Sequence, residues 1–240
     1  MLYNSLFKSK GKKLAVLIDP GKTDNIKLKN TVKTADKSGA DFFLVGGSII
    51  SQNIDKTIEI IKDNSDLPVI LFPGSIYQLS EKADAVLLLS LISGRNPDFL
   101  IGNHVTAAPF LKKSNLEIIS TGYILIDGGN KTSVEYMSNT KPIPSDKTDI
   151  VTATAVAGEM LGLSAVYLEA GSGALMSVSK ELIAAVKENV RIPLIVGGGM
   201  RNKQNILDAC DAGANIIVIG TAFEKEPELI KGFSEIIRSS

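Results

Sequence analysis

Short apolar runs alternate with longer amphipathic stretches along most of this chain. The apolar runs are nearly continuous in leucine and β-branched residues, which is typical of parallel strands that are covered on both faces. Eight such runs predict strands at Leu14–Asp19, Phe42–Gly46, Val69–Phe72, Ala85–Leu91, Glu117–Ile126, Ala165–Glu169, Leu194–Val196 and Ile216–Ile219. The stretches between them predict helices, of which the clearest are Ile26–Ser38, Ile54–Asn64, Val151–Leu163, Ser177–Asn189 and Gln204–Ala212.

Eight strands, each followed by a helical or loop segment, predict an α/β protein with a single (β/α)₈ TIM-barrel domain over residues 1–240. Two of the eight units depart from the average. The third is short, because Gly74 to Asp84 leaves room for only about three helical turns. The fifth has a long polar connection from Asp127 to Thr148, which is either a functional loop or a disordered insertion.

Composition narrows the functional classes. Lys and Arg together number 26, as do Asp and Glu, so no overall field that attracts nucleic acid is expected. Cys210 is the only cysteine, which excludes disulfides within the chain and fits a reducing cytosol. Apolar runs such as Ala85 to Ile92 are too short to span a bilayer, and the first residues lack a signal-peptide pattern. We therefore expect a cytoplasmic protein without a transmembrane segment.

Glycine turns follow three strands in the last third of the chain. They are Gly171-Ser172-Gly173 after Glu169-Ala170, Gly197-Gly198-Gly199, and Gly220-Thr221. Glycine permits positive φ and close approach, so backbone amides can point at phosphate oxygens. Each turn precedes a helical pattern, and a helix N-terminus also favours an anion. Although one such turn could simply reverse the chain, three together predict a phosphate site.

The carboxyl ends of the other strands supply candidate metal and diphosphate ligands, because active sites of such barrels gather there. Asp19 follows the first strand, and a carboxylate near a phosphate site suits Mg²⁺, with Ser48 adding a hydroxyl. The alternative is that Asp19 and Ser48 only cap the turns or helices that follow. Lys22 could neutralise a second phosphate, or it could be a solvated loop lysine.

Glu169 ends the sixth strand beside the first glycine turn, so its carboxylate should face the phosphate cavity. It could accept a proton or hydrogen bonds from a substrate hydroxyl, or else form a salt bridge in the barrel mouth. Tyr167 could donate its phenol to the phosphate or simply pack in the barrel. His104, the sole histidine, is more consistent with a structural hydrogen bond than with catalysis. Arg95 suits diphosphate chemically but lies in a polar loop, where arginines are usually only exposed.

Six motifs together resemble the geranylgeranylglyceryl phosphate synthase family, which also includes bacterial heptaprenylglyceryl phosphate synthases. The resemblance covers essentially the whole chain in the right order, and the run from Tyr167 to Gly173 is its most specific part. The third unit and Ser93–Asn96 look closest to the family's second group, with archaeal and Bacteroidetes-type members. The motifs are Leu17–Lys22, Val45–Ser48, Gly102–His104, Tyr167–Gly173, Val196–Gly199 and Ile219–Thr221.

The resemblance implies Mg²⁺-dependent transfer of a prenyl group from a polyprenyl diphosphate to the 3-hydroxyl of sn-glycerol 1-phosphate. It implies that Asp19 and Ser48 bind magnesium, and it agrees with Glu169 positioning the hydroxyl and accepting its proton. Lys22 remains the candidate for the diphosphate. The family pattern assigns glycerol phosphate binding to Tyr167, Leu168, Glu169, Ala170, Gly171, Ser172, Gly173, Gly198, Gly199, Gly220 and Thr221.

Two other functions stay open at the level of sequence. One is a phosphosugar isomerase or cyclase on the same barrel, and the other is a non-catalytic protein that binds a phosphorylated lipid precursor. Family members commonly form dimers or hexamers, so a homo-oligomer is expected. Met160 and Leu161 could serve an interface or could pack against the barrel. Any membrane contact is expected to be peripheral and to come from the lipid tail of substrate or product.

Overall fold

Eight parallel strands form a closed barrel in which each strand pairs with its neighbours in sequence and the eighth pairs with the first. The structure is a computed structural model that describes residues 1–50 and 52–240. It confirms the predicted TIM barrel, and every predicted strand is present with ends that differ by about one residue. The strands are β1 Lys13–Ile18, β2 Phe42–Val45, β3 Val69–Leu71, β4 Ala85–Leu91, β5 Glu117–Leu125, β6 Ala165–Glu169, β7 Leu194–Gly197 and β8 Ile216–Ile219.

Helices surround the barrel, and several begin at a side chain that caps their free amides. Asp24 accepts from the amides of Ile26 and Lys27 before α1, and Ser179 accepts from Leu182 before α6. Such caps satisfy amides that have no partner within the helix. The α-helices are α1 Asn25–Ser38, α2 Ile54–Lys62, α3 Asn103–Lys113, α4 Ser133–Ser138, α5 Thr148–Met160, α6 Lys180–Asn189, α7 Lys203–Asp211, α8 Thr221–Lys225 and α9 Leu229–Ser239.

The core has two layers because successive strand residues point to opposite faces. Phe42 packs in the barrel interior with Leu44, Ile70 and Tyr167. Phe43, its neighbour in β2, packs in the second layer between strands and helices. Both phenylalanines are almost fully buried. This alternation determines which side chains of each strand can reach the barrel mouth.

The N-terminal segment closes one end of the barrel. Residues Tyr3–Phe7 form a π-helical turn, and the Tyr3 amide donates to the Glu117 carboxylate at the start of β5 over 2.9 Å. Phe7 is buried and stacks near Phe42, with ring centroids 5.9 Å apart. Since Glu117 begins its strand, this plug fills the amino-terminal end and leaves the carboxyl-terminal end as the open mouth.

The two unusual connections are both ordered. The third unit is shorter than its sequence allows, since a single 3₁₀ turn, Ile76–Gln78, replaces the expected three helical turns. The fifth connection contains α4 and returns to the barrel, where the Ile143 amide donates to the Leu125 carbonyl over 2.9 Å. The fifth connection is therefore a packed part of the mouth and not a disordered insertion.

The structure shows no helix, within residues 1–50 and 52–240, that is both long and apolar enough to cross a membrane. Met160 and Leu161 lie at the end of α5 with 83% and 78% of their surfaces exposed. The alternative that they pack against the barrel is therefore wrong, and an interface role for them stays a prediction.

Candidate functional site

A cavity of about 660 Å³ opens at the carboxyl ends of the strands and gathers most of the predicted site residues. Leu168 and Ala170 are exceptions because their side chains pack in the layer between strands and helices, and Gly171 does not line the cavity either. Any contact from Leu168 or Ala170 would therefore have to come from the main chain. The predicted residues that line the cavity are Asp19, Lys22, Ser48, Tyr167, Glu169, Ser172, Gly173, Gly198, Gly199, Gly220 and Thr221.

The three glycine turns meet on one side of this cavity. Gly198 has a φ of +81°, and a Cβ there would overlap the Glu169 carboxylate and the amides of Ala170 and Gly171. Only glycine therefore lets the β7 turn approach the β6 turn this closely. The turn after β8 completes the group, with Gly220 leading into α8 at Thr221. This concentration of backbone amides, with the start of α8 beside it, suits a phosphate group.

Glu169 lies at the centre of the site and is 5% exposed. Its Oε1 accepts the Gly171 amide over 2.7 Å, which orients the carboxylate toward the phosphate turns. Burial raises the pKa of Glu169 to about 7, and the hydrogen bond from Gly171 offsets part of the rise. A carboxyl group with a pKa near neutrality is well placed to act as a general base. The structure shows no salt bridge for Glu169 among the described residues, so the salt-bridge alternative is wrong.

Aromatic rings form the floor beneath Glu169. Tyr167 contacts Tyr123 edge-on, with centroids 5.3 Å apart, and Phe72 at 5.5 Å. The Tyr167 hydroxyl is buried and makes no hydrogen bond of good geometry within the described part of the chain, although it lies close enough to the Glu169 carboxylate to lower the pKa of that group. Burial raises the pKa of both tyrosines, so they stay neutral donors at physiological pH. Tyr167 therefore retains a hydroxyl that can donate to a bound molecule.

Asp19 and Lys22 follow β1, which is the neighbour of β8 around the barrel. The Asp19 carboxylate accepts the Gly21 amide over 3.0 Å and pairs with Lys22 at 3.0 Å. Gly47 lies against the same carboxylate, since a Cβ at Gly47 would stand 2.9 Å from Asp19 Oδ1. Asp19 does not cap α1, which Asp24 caps. The alternative that Asp19 only orders a turn accounts for its bond from the Gly21 amide, but not for its pairing with Lys22 or its contact with Gly47.

The buried side chain of Gln78 fixes the loop that carries Ser48. Its Nε2 donates to the Gly47 carbonyl over 2.7 Å, and its Oε1 accepts the Gly74 amide over 3.0 Å. Sequence reasoning missed Gln78, because a neutral amide in a short loop has no distinctive pattern. These bonds hold the Ile76–Gln78 turn against the loop after β2.

The residues around Asp19 suit magnesium. Mg²⁺ uses one or two carboxylates and completes its shell with water and substrate phosphate oxygens. Asp19 would supply one carboxylate and Ser48 a hydroxyl, and burial raises the pKa of the nearby Glu224 of α8, with Lys22 lowering it and Asp19 raising it further. Within the described residues no cluster of three or more His, Cys, Asp or Glu could form a protein-only cage. One carboxylate and one hydroxyl fit a cation such as Mg²⁺ that takes few protein ligands.

Arg201 is a second residue that sequence reasoning missed. Its Nη2 donates to the carbonyls of Gly173 and Ala174 over 3.1 and 2.6 Å, so it ties the turn after β7 to the turn after β6. Its position two residues after Gly199 at a strand end is the signal that could have found it. Because it also lines the cavity, it holds the phosphate turn in shape while facing the site.

Replacing Arg201 with Met is expected to lower the affinity for a small phosphate monoester about tenfold, since two charge-assisted hydrogen bonds to the turn are lost. Calorimetric titration of sn-glycerol 1-phosphate would measure the change. Arg191→Met is the matched control, because Arg191 is exposed and precedes β7 at the opposite end of the barrel. Unchanged affinity in Arg201→Met would contradict the role given to this side chain.

The remainder of the cavity is apolar and extends away from the polar residues. It runs past the single turn of the third unit toward α3 and α4. The apolar side chains that line it include Ile76, Leu79, Val86, Leu88, Phe99, Ala107, Val134 and Met137. The site thus has a polar end suited to anions and an apolar end suited to a hydrocarbon.

His104 and Arg95 differ in their relation to this cavity. His104 lines it, but its Nε2 lies 3.0 Å from the Ser90 hydroxyl, and burial lowers the pKa of the ring. That contact agrees with the expected structural hydrogen bond. Arg95 lies outside the cavity and donates to its neighbour's carbonyl at Gly94, so the structure does not place it at the diphosphate end.

Comparison with known proteins gives a consistent result. The model described as the PcrB family matches residues 7–237. The geranylgeranylglyceryl phosphate synthase from Chitinophaga pinensis is 49% identical to this chain, over 100% of this chain and 96% of its own length. The one from Spirosoma linguale is 48% identical, over 97% of this chain and 94% of its own length. The crystal structure of (S)-3-O-geranylgeranylglyceryl phosphate synthase from Thermoplasma acidophilum in complex with sn-glycerol-1-phosphate superposes with a TM-score of 0.92. It is 34% identical and covers 100% of this chain and 97% of that one.

Proposed function

This chain belongs to the PcrB family and is a prenyltransferase, and on that premise we propose which reaction it catalyses. The proposed reaction joins the prenyl group of a polyprenyl diphosphate, geranylgeranyl diphosphate in the first instance, to the 3-hydroxyl of sn-glycerol 1-phosphate through an ether bond. Magnesium is the proposed cofactor. The observation that carries the proposal is the position of the buried Glu169 between the phosphate turns and the apolar part of the cavity.

The phosphate turns are proposed to bind glycerol phosphate. The amides after β6, β7 and β8 surround one small volume, and the Tyr167 hydroxyl borders it. A relative of this chain has been solved with sn-glycerol-1-phosphate bound, which supports the same ligand here. With the phosphate on these amides, the glycerol hydroxyls would extend toward Glu169.

Glu169 is the proposed general base. A new bond forms between the glycerol 3-oxygen and the first carbon of the prenyl chain, while the bond from that carbon to the diphosphate oxygen breaks. The diphosphate leaves with the electron pair, and the hydroxyl proton passes to the Glu169 carboxylate. Because its pKa is about 7, Glu169 is substantially ionised at neutral pH and still basic enough to accept the proton.

Asp19, Ser48 and Lys22 are proposed to bind the diphosphate end. When bound, Mg²⁺ supplies charge neutralisation that makes diphosphate a better leaving group. Asp19 and Ser48 would hold the ion, with Glu224 nearby. Lys22 adds a positive charge that is already aligned by its contact with Asp19. These groups and Glu169 line the same cavity, so the leaving diphosphate and the attacking hydroxyl would be bound within one site.

The apolar part of the cavity is the proposed site of the prenyl tail. Its lining includes Ile76 and Leu79 of the short third unit, where a full helix would otherwise cover the barrel. A homo-oligomer, a cytoplasmic location and peripheral membrane contact through the lipid tail also belong to the proposal. The exposed Met160 and Leu161 are consistent with an interface.

Incubation with radiolabelled sn-glycerol 1-phosphate, Mg²⁺ and prenyl diphosphates of increasing length, followed by organic extraction, tests the proposed function. Label in the organic phase is the expected result, and the preferred donor length gives the chain specificity. Omitting magnesium should abolish the transfer. The Glu169→Gln variant provides a matched negative control on the same barrel.

Absence of extractable label with every donor, from protein shown to be folded, would contradict the proposal. Magnesium-independent turnover of a phosphosugar would then favour an isomerase or cyclase. Tight binding of both substrates without turnover would favour a protein that only binds a phosphorylated lipid precursor. The apolar end of the cavity is the observation that argues against the phosphosugar reading.

A further inference from the structure

The ammonium group of Lys22 bridges the two halves of the cavity. Its Nζ lies 3.0 Å from Asp19 Oδ2, on the side assigned to the diphosphate. The same Nζ lies 3.1 Å from the Ser172 hydroxyl, in the turn assigned to glycerol phosphate. These partners follow β1 and β6, which are not neighbours in the barrel. One side chain thus spans the mouth between the two proposed anion sites.

The balance of charged side chains around the barrel mouth bears on the role of Lys22. Among the described residues, four carboxylates line the cavity, against three lysine or arginine side chains. The other two cations do not bridge the two halves of the cavity in this way: Arg201 donates to backbone carbonyls, and Lys225 lies at the end of α8. Two substrates that each carry several negative charges would repel one another in such a mouth. A cation between two anions attracts both and reduces their mutual repulsion.

We propose that Lys22 couples the binding of the two substrates, so that each anion can bind while the other is present. This inference rests on the proposed function, which supplies the two anions. Lys22 is a binding residue in this scheme, because its ammonium group would contact both ligands. A lysine that served one half of the site alone would change one affinity and leave the coupling between the ligands unchanged.

The half-exposed side chain of Lys22 suits this role. A flexible stem with three rotatable donors can keep contact with two partners or shift toward either. Ser172 offers a neutral hydroxyl that holds the ammonium at the glycerol phosphate side without neutralising it. The resting contacts therefore place the charge between the sites before either ligand arrives.

Calorimetric titration measures the coupling directly. The association constant for sn-glycerol 1-phosphate is measured twice, once with the protein alone and once with saturating Mg²⁺ and inorganic diphosphate. The coupling factor is the second constant divided by the first. In the wild type this factor is expected to stay near one. In Lys22→Met it should fall about fivefold or more, so that diphosphate weakens glycerol phosphate binding. Lys22→Arg, which retains the charge, should recover most of the wild-type ratio.

Lys27→Met is the matched control, since it removes the same charge from an exposed position on α1 outside the cavity. A thermal melt of each variant establishes that it is folded. Equal coupling factors in the wild type and Lys22→Met would overturn the inference, even if both separate affinities decreased. If the wild type transfers label but its coupling factor equals that of Lys22→Met, only this inference fails. If the wild type neither transfers label nor binds both probes, the proposed function fails with it.

Discussion

Replacing Asp19 with Asn is expected to lower kcat/KM for the prenyl diphosphate about a hundredfold or more while the barrel stays folded. The amide keeps the shape of the side chain and can still accept the Gly21 amide, but it loses the charge that would hold a cation and that pairs with Lys22. Steady-state kinetics across a magnesium series would measure the effect. Higher magnesium should recover only part of the activity.

Asp24→Asn is a close control for this variant. Asp24 lies five residues downstream and caps α1, and asparagine caps a helix about as well as aspartate. The control therefore makes the same change of charge beside the mouth without removing a site ligand. Near-normal magnesium-dependent activity in Asp19→Asn would rule out the metal assignment.

Replacing Glu169 with Gln should have the second large effect, a loss of about 10² to 10⁴-fold in kcat/KM for glycerol phosphate. Glutamine can still accept the Gly171 amide, so the turn keeps its shape, but it cannot accept the hydroxyl proton. Affinity for the prenyl diphosphate should change much less. An equal loss of both affinities would indicate that Glu169 is structural, and Glu235→Gln on α9 controls for the lost charge.

The pH dependence of the wild type should report the same carboxyl group. Because burial raises the pKa of Glu169 to about 7, kcat/KM should rise with pH, reach half its maximum near pH 7 and level off about one unit above. The second ionisation of the substrate phosphate, near pH 6, adds curvature at the acid end. The Glu169→Gln variant should lose the ionisation near pH 7 and keep the one near pH 6. Comparing the pH profiles of the wild type and the variant therefore separates the carboxyl group from the substrate phosphate.

Stability should change with pH in the opposite direction. Between pH 4.5 and 7 the unfolded chain has released the Glu169 proton while the folded chain still holds it. Rising pH therefore favours unfolding in this window, and the wild type should lose about 3 kcal/mol relative to Glu169→Gln. Denaturant titrations at pH 5, 6, 7 and 8 would measure the difference. A constant difference would show that the carboxyl pKa is not raised.

The barrel was predictable from sequence because its strands are buried on both faces. Most strands read as nearly continuous apolar runs, and polar residues or glycines lie within a few positions of their carboxyl ends. Asp19 and Glu169 could be assigned to one cavity for the same reason, since all parallel strands end at one mouth. At β1 the predicted end, Asp19, lies one residue beyond the observed end, and Asp19 lines the cavity.

Gln78 and Arg201 could not be found in this way because their roles depend on contacts between connections that are distant in the chain. Gln78 acts on a loop 31 residues away, and Arg201 on a turn 27 residues away. The N-terminal turn at Tyr3–Phe7 was also missed, since five residues are too few to show a periodic pattern. Local patterns specify elements, whereas such contacts are determined by how the loops pack together.

The single turn between β3 and β4 makes the flank of the cavity thin. Ile76 and Leu79 line the interior, while Tyr77 between them is 90% exposed. A hydrocarbon beside them would be separated from bulk water by one layer of side chains and not by a packed helix. Substitutions in that layer can reshape the flank without moving the strands that hold Asp19 and Glu169. The fold thereby allows the length of its lipid to evolve independently of its chemistry.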